Sequence, residues 1–174
     1  MTMNELEKWI ETYGKEIYSF CRYLTGSKQE ADDLYQDTFV KAVEQCKRMD
    51  AGQNPKSFLL TVAMNLWKNK KRKYAWRNRI AAMESLGNEK IDMLESQAET
   101  PEETFVSKVE KEMVYEAVSV LDEKYKSVIL LYYMEDMNLS EIAGILDLPI
   151  GTVKSRLHKA RMILKEELEV VLDE

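Results

Sequence analysis

Apolar residues recur at spacings of three and four along most of the chain, the pattern of amphipathic helices. In the N-terminal part the pattern forms three successive faces, over residues 6–24, 31–46 and 58–66. Gly26 is placed to end the first helix, although Gly14 leaves open whether that face forms one helix or two. Ser27 and Glu30 are spaced as a capping box for the second helix. We therefore expect a bundle of three helices here.

The remainder of the chain divides into a polar stretch and a second helical part. Residues 80–103 lose the apolar periodicity and become acidic, which is typical of a linker. Beyond it, Asp122 is placed to begin a helix. Two apolar faces are expected, one with Phe105, Val109, Met113, Ala117 and Val120, the other with Tyr125, Val128, Ile129 and Tyr132. The pattern predicts an all-α protein of two small helical domains joined by a flexible acidic linker, with boundaries at 1–79, 80–103 and 104–174.

The last part of the second domain has the pattern of a helix-turn-helix. Asn138 and Glu141 are spaced as a capping box for a short helix. Asp147 tolerates the left-handed backbone of a tight turn, and Pro149 suits the start of a new helix. The inward face of that second helix is predicted to consist of Val153, Leu157, Ala160 and Leu164. A helix-turn-helix places its second helix in the DNA major groove.

The outward face of this second helix is basic. It is predicted to present Lys154, Ser155, His158 and Lys159, flanked by Arg156 and Arg161. These side chains suit base edges and phosphates. The alternative is an ordinary helical hairpin with a solvated basic face.

Charge is distributed unevenly, which the formal net charge of −6 conceals. A basic block follows the third helical face and contains Lys68, Lys70, Lys71, Arg72, Lys73, Arg77 and Arg79. Trp67, Tyr74 and Trp76 interleave with these cations. The polar stretch after the block is acidic, and the second cationic surface is the predicted recognition helix. Two cationic surfaces separated by an acidic tether favour nucleic-acid binding at two places.

Other functional classes find little support in the sequence. The chain has no apolar run of 18 residues and no secretory signal at its N-terminus, so we expect a cytoplasmic protein without direct membrane insertion. Cys21 and Cys46 are isolated and are interpreted as small buried hydrophobic residues. His158 is the one histidine. Without clustered ligands or a nucleophile–histidine pair, we expect no metal, no cofactor, no catalytic residue and no enzyme activity.

Two blocks of sequence resemble the bacterial extracytoplasmic-function (ECF) sigma factors. The first block contains EADDLYQDTFVKA and SFLLTVAMNLWKNKKRK, and the second is VLDEKYKSVILLYYMEDMNLSEIAGILDLPIGTVKSRLHKAR. They occur in the family's order on either side of a linker, and together they cover nearly the whole chain. The resemblance implies a protein that binds core RNA polymerase and directs promoter-specific initiation, with residues 1–79 as sigma region 2 and 104–174 as region 4.

The resemblance also implies roles for particular residues. The family's core-polymerase-binding face corresponds to Asp32, Asp33, Gln36 and Asp37, with Leu34 and Phe39 in the core behind it. Minus-ten DNA would be bound by Asn65, near the pocket for a flipped-out base, and by Lys68, Lys70 and Lys71 at phosphates. Minus-thirty-five DNA would be read by Lys154, Ser155, His158 and Lys159, with Arg156 and Arg161 beside them.

The partners implied are core RNA polymerase, double-stranded and melted promoter DNA, and a cognate anti-sigma factor, with the protein acting as a monomer within the holoenzyme. An operator-binding helix-turn-helix regulator is the alternative. Such a regulator generally needs a dimerisation surface to match a two-fold operator, and no leucine-rich dimer helix is evident in the sequence.

Overall fold

In a computed structural model, which describes residues 3–49, 52–84 and 113–172, the N-terminal part is a bundle of three helices. They are α1 (Met3–Thr25), α2 (Lys28–Gln45) and α3 (Pro55–Glu84). A 3-10 turn, Cys46–Arg48, follows α2. Gly14 does not interrupt α1, and Gly26 ends it with a φ of 70°. The side chain of Ser27 accepts a hydrogen bond from the Glu30 amide, as the capping pattern predicts.

The C-terminal part contains four described helices. These are α4, described over residues 113–119, α5 (Glu123–Ile129), α6 (Leu139–Leu146) and α7 (Ile150–Leu172). A π-helical turn, Leu130–Met134, continues α5. The all-α prediction is confirmed, and the described residues contain no strand. No helix in these parts of the chain has both the length and the apolar character needed to cross a membrane.

Each half has an apolar core made by the predicted helix faces. In the N-terminal half Ile17, Phe20, Leu34 and Leu59 are almost completely buried. In the C-terminal half the most buried side chains come from α5, the π-turn, α6 and α7, and include Val128, Leu131, Ile142, Leu146, Val153 and Ala160. Loss of one such leucine or isoleucine typically costs about 2–5 kcal/mol.

Three details differ from the expectation. Val43 is 40% exposed and Val120 58% exposed, although the apolar spacing predicts both on inward faces. Val120 lies in the turn after α4, where the helical spacing no longer applies. Helix α3 continues to Glu84, since Ala81 and Ala82 are strong helix formers. Phe105 and Val109 lie outside the described residues, and the domain boundaries stay a prediction.

The two halves also pack against each other. Helix α3 contacts α6, and α1 contacts the π-turn and α5. The ring of Tyr23 on α1 lies edge-on to that of Tyr115 on α4, with centroids 5.3 Å apart. The side-chain hydrogen bonds and ion pairs described across this interface come from α3, the helix that carries the basic block.

Candidate nucleic-acid interface

The polar face of α2 is assembled as the spacing predicts. Asp33, Gln36 and Asp37 are exposed, and Asp32 beside them is half-buried. Asp32 is held in place, because the Tyr18 hydroxyl on α1 donates a hydrogen bond of 2.7 Å to its Oδ1. That bond, with partial burial, raises the pKa of Tyr18. The face is therefore an acidic surface with one oriented carboxylate.

An open groove runs beside this acidic face, between α1 and α2. Tyr18 and Tyr35 form part of its lining with their rings edge to face at 5.5 Å. Gly14 faces the same groove, where an added Cβ would lie 3.0 Å from the Tyr35 hydroxyl. Sequence reasoning missed Tyr18, and the glycine in the middle of a helix was the available signal that a bulky side chain approaches there.

Helix α3 places its predicted DNA-binding residues on different sides. Asn65, Lys68, Lys70 and Lys71 are all exposed. Lys68 also donates a 2.8 Å hydrogen bond to the carbonyl of Leu146, which ends α6, and partial burial lowers the pKa of Lys68. Lys71 lies 3.7 Å from the carboxylate of Glu123. In this arrangement two of the four predicted minus-ten residues contact the C-terminal half.

The three aromatic residues in and before the basic block have different environments. Trp67 is 1% exposed, and its indole N–H donates to the Glu123 carboxylate. Lys71 lies over the Trp67 ring, 4.8 Å from its centroid. Tyr74 is 47% and Trp76 65% exposed. Trp67 is therefore a core residue at the contact between the halves, and only the other two rings are open to a ligand.

The helix-turn-helix has the predicted geometry. The Asn138 side chain accepts from the Glu141 amide at 2.9 Å, and the Glu141 carboxylate accepts from the Asn138 amide at 2.8 Å. Asp147 adopts the left-handed conformation with a φ of 53°. These contacts fix where α6 begins and ends, and the turn sets the direction of α7.

The recognition helix α7 separates inward and outward side chains as its pattern predicts. Val153, Leu157 and Ala160 are buried, and Leu164 is partly buried. The outward face consists of Lys154, Ser155, His158 and Lys159, all exposed, with Arg156 half-buried beside them. The Ser155 hydroxyl donates to the Thr152 carbonyl at 3.0 Å, so its lone pairs face outward as acceptors.

Arg161 is held by two aromatic rings near the end of this face. Its Nε donates a 2.6 Å hydrogen bond to the Tyr133 hydroxyl. The guanidinium lies 5.2 Å and 5.5 Å from the ring centroids of Tyr132 and Tyr133. The rings restrict the side chain and leave its terminal nitrogens as donors. Both tyrosines belong to the π-turn, so their role was not evident from the sequence.

A buried ion pair that sequence reasoning missed joins the two halves. Glu135, which follows the π-turn, has a side chain only 1% exposed and lies 3.0 Å from the ammonium of Lys56 on α3. Lys56 also pairs with Glu16 on α1. Burial raises the pKa of Glu135, and Lys56 opposes that rise. A lone carboxylate in a polar turn has no sequence signal for burial.

No group of histidine, cysteine, aspartate and glutamate side chains suited to a metal ion occurs within the described residues. Cys21 is buried, and its burial raises the pKa of the thiol to about 12. Cys46 is only partly buried. Both thiols are free.

Comparison with known proteins matches two regions of this chain to one family. Residues 9–77 match the model of sigma-70 region 2, and residues 111–164 match that of sigma-70 region 4. The chain is an ECF sigma factor. Like other members of this family, it directs promoter-specific transcription initiation by RNA polymerase. Region 2 thus includes most of α1 and all of α2, and region 4 contains the helix-turn-helix.

Named relatives of this sigma factor cover almost its whole length. It is 29% identical over 163 residues to the ECF RNA polymerase sigma factor SigW of Bacillus subtilis, which covers 91% of this chain and 86% of SigW. Its fold is that of the sigma factor RpoE solved in complex with the anti-sigma factor NepR from Bartonella quintana. That superposition has a TM-score of 0.79 and 22% identity, and it covers 97% of this chain and 99% of the other. CnrH in complex with the cytosolic domain of CnrY gives a TM-score of 0.68 at 19% identity, covering 97% and 90%.

Proposed function

We propose that three surfaces of this sigma factor each bind a different partner during transcription initiation. The acidic face of α2, Asp32, Asp33, Gln36 and Asp37, binds core RNA polymerase. Asn65 accepts an extruded base of the minus-ten element, while Lys68, Lys70 and Lys71 bind nearby phosphates. The outward face of α7 reads the minus-thirty-five duplex through Lys154, Ser155, His158 and Lys159, with Arg156 and Arg161 at its flanks.

The separation of faces on α7 is the observation that carries this proposal. Because Val153, Leu157 and Ala160 are buried, the polar residues between them point away from the domain. Lysine donors suit guanine O6 and N7, and a serine hydroxyl adapts to several bases. An amide such as that of Asn65 can pair with a base edge once the base has left the stack.

A charge-reversal experiment tests the polymerase-binding surface. Asp33→Lys plus Asp37→Lys should abolish co-purification with core polymerase, since both side chains are exposed and the core enzyme must meet a face of opposite charge. Glu166→Lys plus Glu167→Lys is the matched control, with the same change in net charge at two exposed sites on α7. If the first variant keeps its helicity and still binds core enzyme as well as the control does, α2 does not carry the polymerase-binding face.

An anti-sigma factor is a further proposed partner. RpoE, which shares this fold, was solved with the anti-sigma factor NepR bound, and CnrH with the cytosolic domain of CnrY bound. A neighbouring open reading frame that encodes a small protein with a cytoplasmic helical domain and one membrane span would identify the candidate. Its cytoplasmic domain should co-purify with this protein and compete with core polymerase. The proposal is wrong if the cytoplasmic domain and core polymerase bind this protein at the same time without competing.

A further inference from the structure

One face of α3 aligns the proposed base-binding residue with an exposed tryptophan. Trp76 follows Asn65 by eleven positions, which is about three helical turns, so the two side chains project on nearly the same side. Asn69 and Arg72 lie between them on that side, and both are exposed. Trp67 projects from the opposite side, into the contact with Glu123. Among the residues that the structure describes, the interface between the halves therefore does not cover the Asn65–Trp76 face.

The chemistry of this face suits a single strand of nucleic acid. Trp76 is 65% exposed and is surrounded by cations, with Arg72 one turn before it and Arg79 one turn after. From residue 68 to residue 83 the helix carries no acid. Aromatic rings that alternate with cations bind unpaired strands, because every base has a face for stacking and every nucleotide a phosphate.

We propose that Trp76 stacks on a second unpaired base of the melted promoter strand, with Arg72 and Asn69 binding the strand between it and Asn65. Eleven residues of helix span about 16 Å. At about 3.4 Å per stacked nucleotide, the stacked base lies up to about five nucleotides from the base at Asn65. The inference rests on the proposed function, because Asn65 defines the start of the track. An acidic helix of a protein partner is the competing occupant.

The test uses holoenzyme reconstituted with core polymerase. Its affinity is measured for a promoter fork with a single-stranded non-template tail and for the same promoter as full duplex, under conditions that hold the duplex in the closed complex. Trp76→Ala should weaken fork binding by about 5- to 150-fold, the range for loss of one stacked base, and leave duplex binding unchanged. Trp76→Phe should restore most of the affinity. The fluorescent base 2-aminopurine is placed in turn at the first five tail positions on either side of the base at Asn65. Its fluorescence should be quenched at one position by the wild-type protein and not by the Trp76→Ala variant.

Tyr74→Ala is the matched control, since Tyr74 is an exposed ring nearly opposite Trp76 on the same helix; it should leave fork affinity unchanged. The proposal is wrong if Tyr74→Ala and Trp76→Ala have equal effects, or if Trp76→Ala weakens fork and duplex alike. It is also wrong if Trp76→Ala keeps fork affinity while losing the anti-sigma domain, which would assign the face to a protein. If Asn65→Ala still impairs strand opening in that case, the proposed function stands without the stacking site.

Discussion

The buried ion pair between the two halves gives a pH-dependent prediction. Lys56→Met removes the cation that lies 3.0 Å from Glu135, whose side chain is 1% exposed. An ionised carboxylate left alone in such a place is costly. The carboxylate can take up a proton, or it can reach water if the halves separate. The free-energy cost of leaving it unpaired therefore has an upper bound.

The bound follows from the ordinary pKa of a glutamate, 4.5. Protonating such a group costs about 1.36 kcal/mol per pH unit above that value, hence at most about 3.4 kcal/mol at pH 7 and about 1.4 kcal/mol at pH 5.5. The sign follows from the direction of the shift. Burial already raises the pKa of Glu135 in the folded state, and loss of Lys56 raises it further. Relative to the wild-type protein, the variant's deficit therefore grows as the pH rises from the raised pKa of Glu135 in the wild-type fold toward its still higher pKa in the variant.

Urea titrations followed by circular dichroism at pH 5.5 and pH 7 measure this deficit in the free energy of unfolding. Small-angle scattering without urea shows whether the halves separate. Lys56→Met should lose more stability, or become more extended, at pH 7 than at pH 5.5, and Glu135→Gln in the same chain should remove that pH dependence. Lys41→Met is the control, because its pair with Glu44 is exposed and such pairs contribute about 0–1 kcal/mol. Equal losses for Lys56→Met at both pH values would refute the reasoning.

Three further predictions concern single residues. Asn65→Ala should leave closed complexes nearly intact and reduce permanganate reactivity of thymines near the start site; unchanged reactivity on several promoters would return Asn65 to a surface role. Arg161→Ala should weaken all minus-thirty-five sequences alike and lower the salt slope of binding by about one, whereas altered base preference would place this arginine in the groove. In a Cys46→Ser variant, Cys21 should stay unmodified by a thiol reagent at pH 8, because a pKa of about 12 leaves about one thiolate in 10⁴; rapid modification would contradict its burial.

Local signals in the sequence predict the helices well. Ser27 and Asn138 cap α2 and α6 because their side chains reach amides only three residues away, and such contacts depend on little beyond the local chain. Asp147 takes the left-handed turn for a similarly local reason. The inward face of α7 follows from its spacing alone. Most of the candidate DNA-reading surface could therefore be derived from periodicity and caps.

Contacts between distant segments could not be derived in this way. Trp67 and Glu123 are separated by 56 residues, and nothing near either one indicates that they meet. In the sequence Lys68 is one more cation of the basic block, but in the fold it donates a hydrogen bond to the carbonyl of the last residue of α6. Glu135 reads as a surface carboxylate in a turn. These three depend on how the two halves pack, which periodicity within one helix does not contain.

The most direct test of the central claim is a promoter-library transcription assay with purified core polymerase and this protein. The account predicts two preferred sequence blocks at a fixed spacing. Lys154→Ala or Ser155→Ala should change base preference in the upstream block alone, and Asn65→Ala in the downstream block alone. The account is contradicted if core polymerase alone selects the same sequences, or if the α7 variants alter the downstream block.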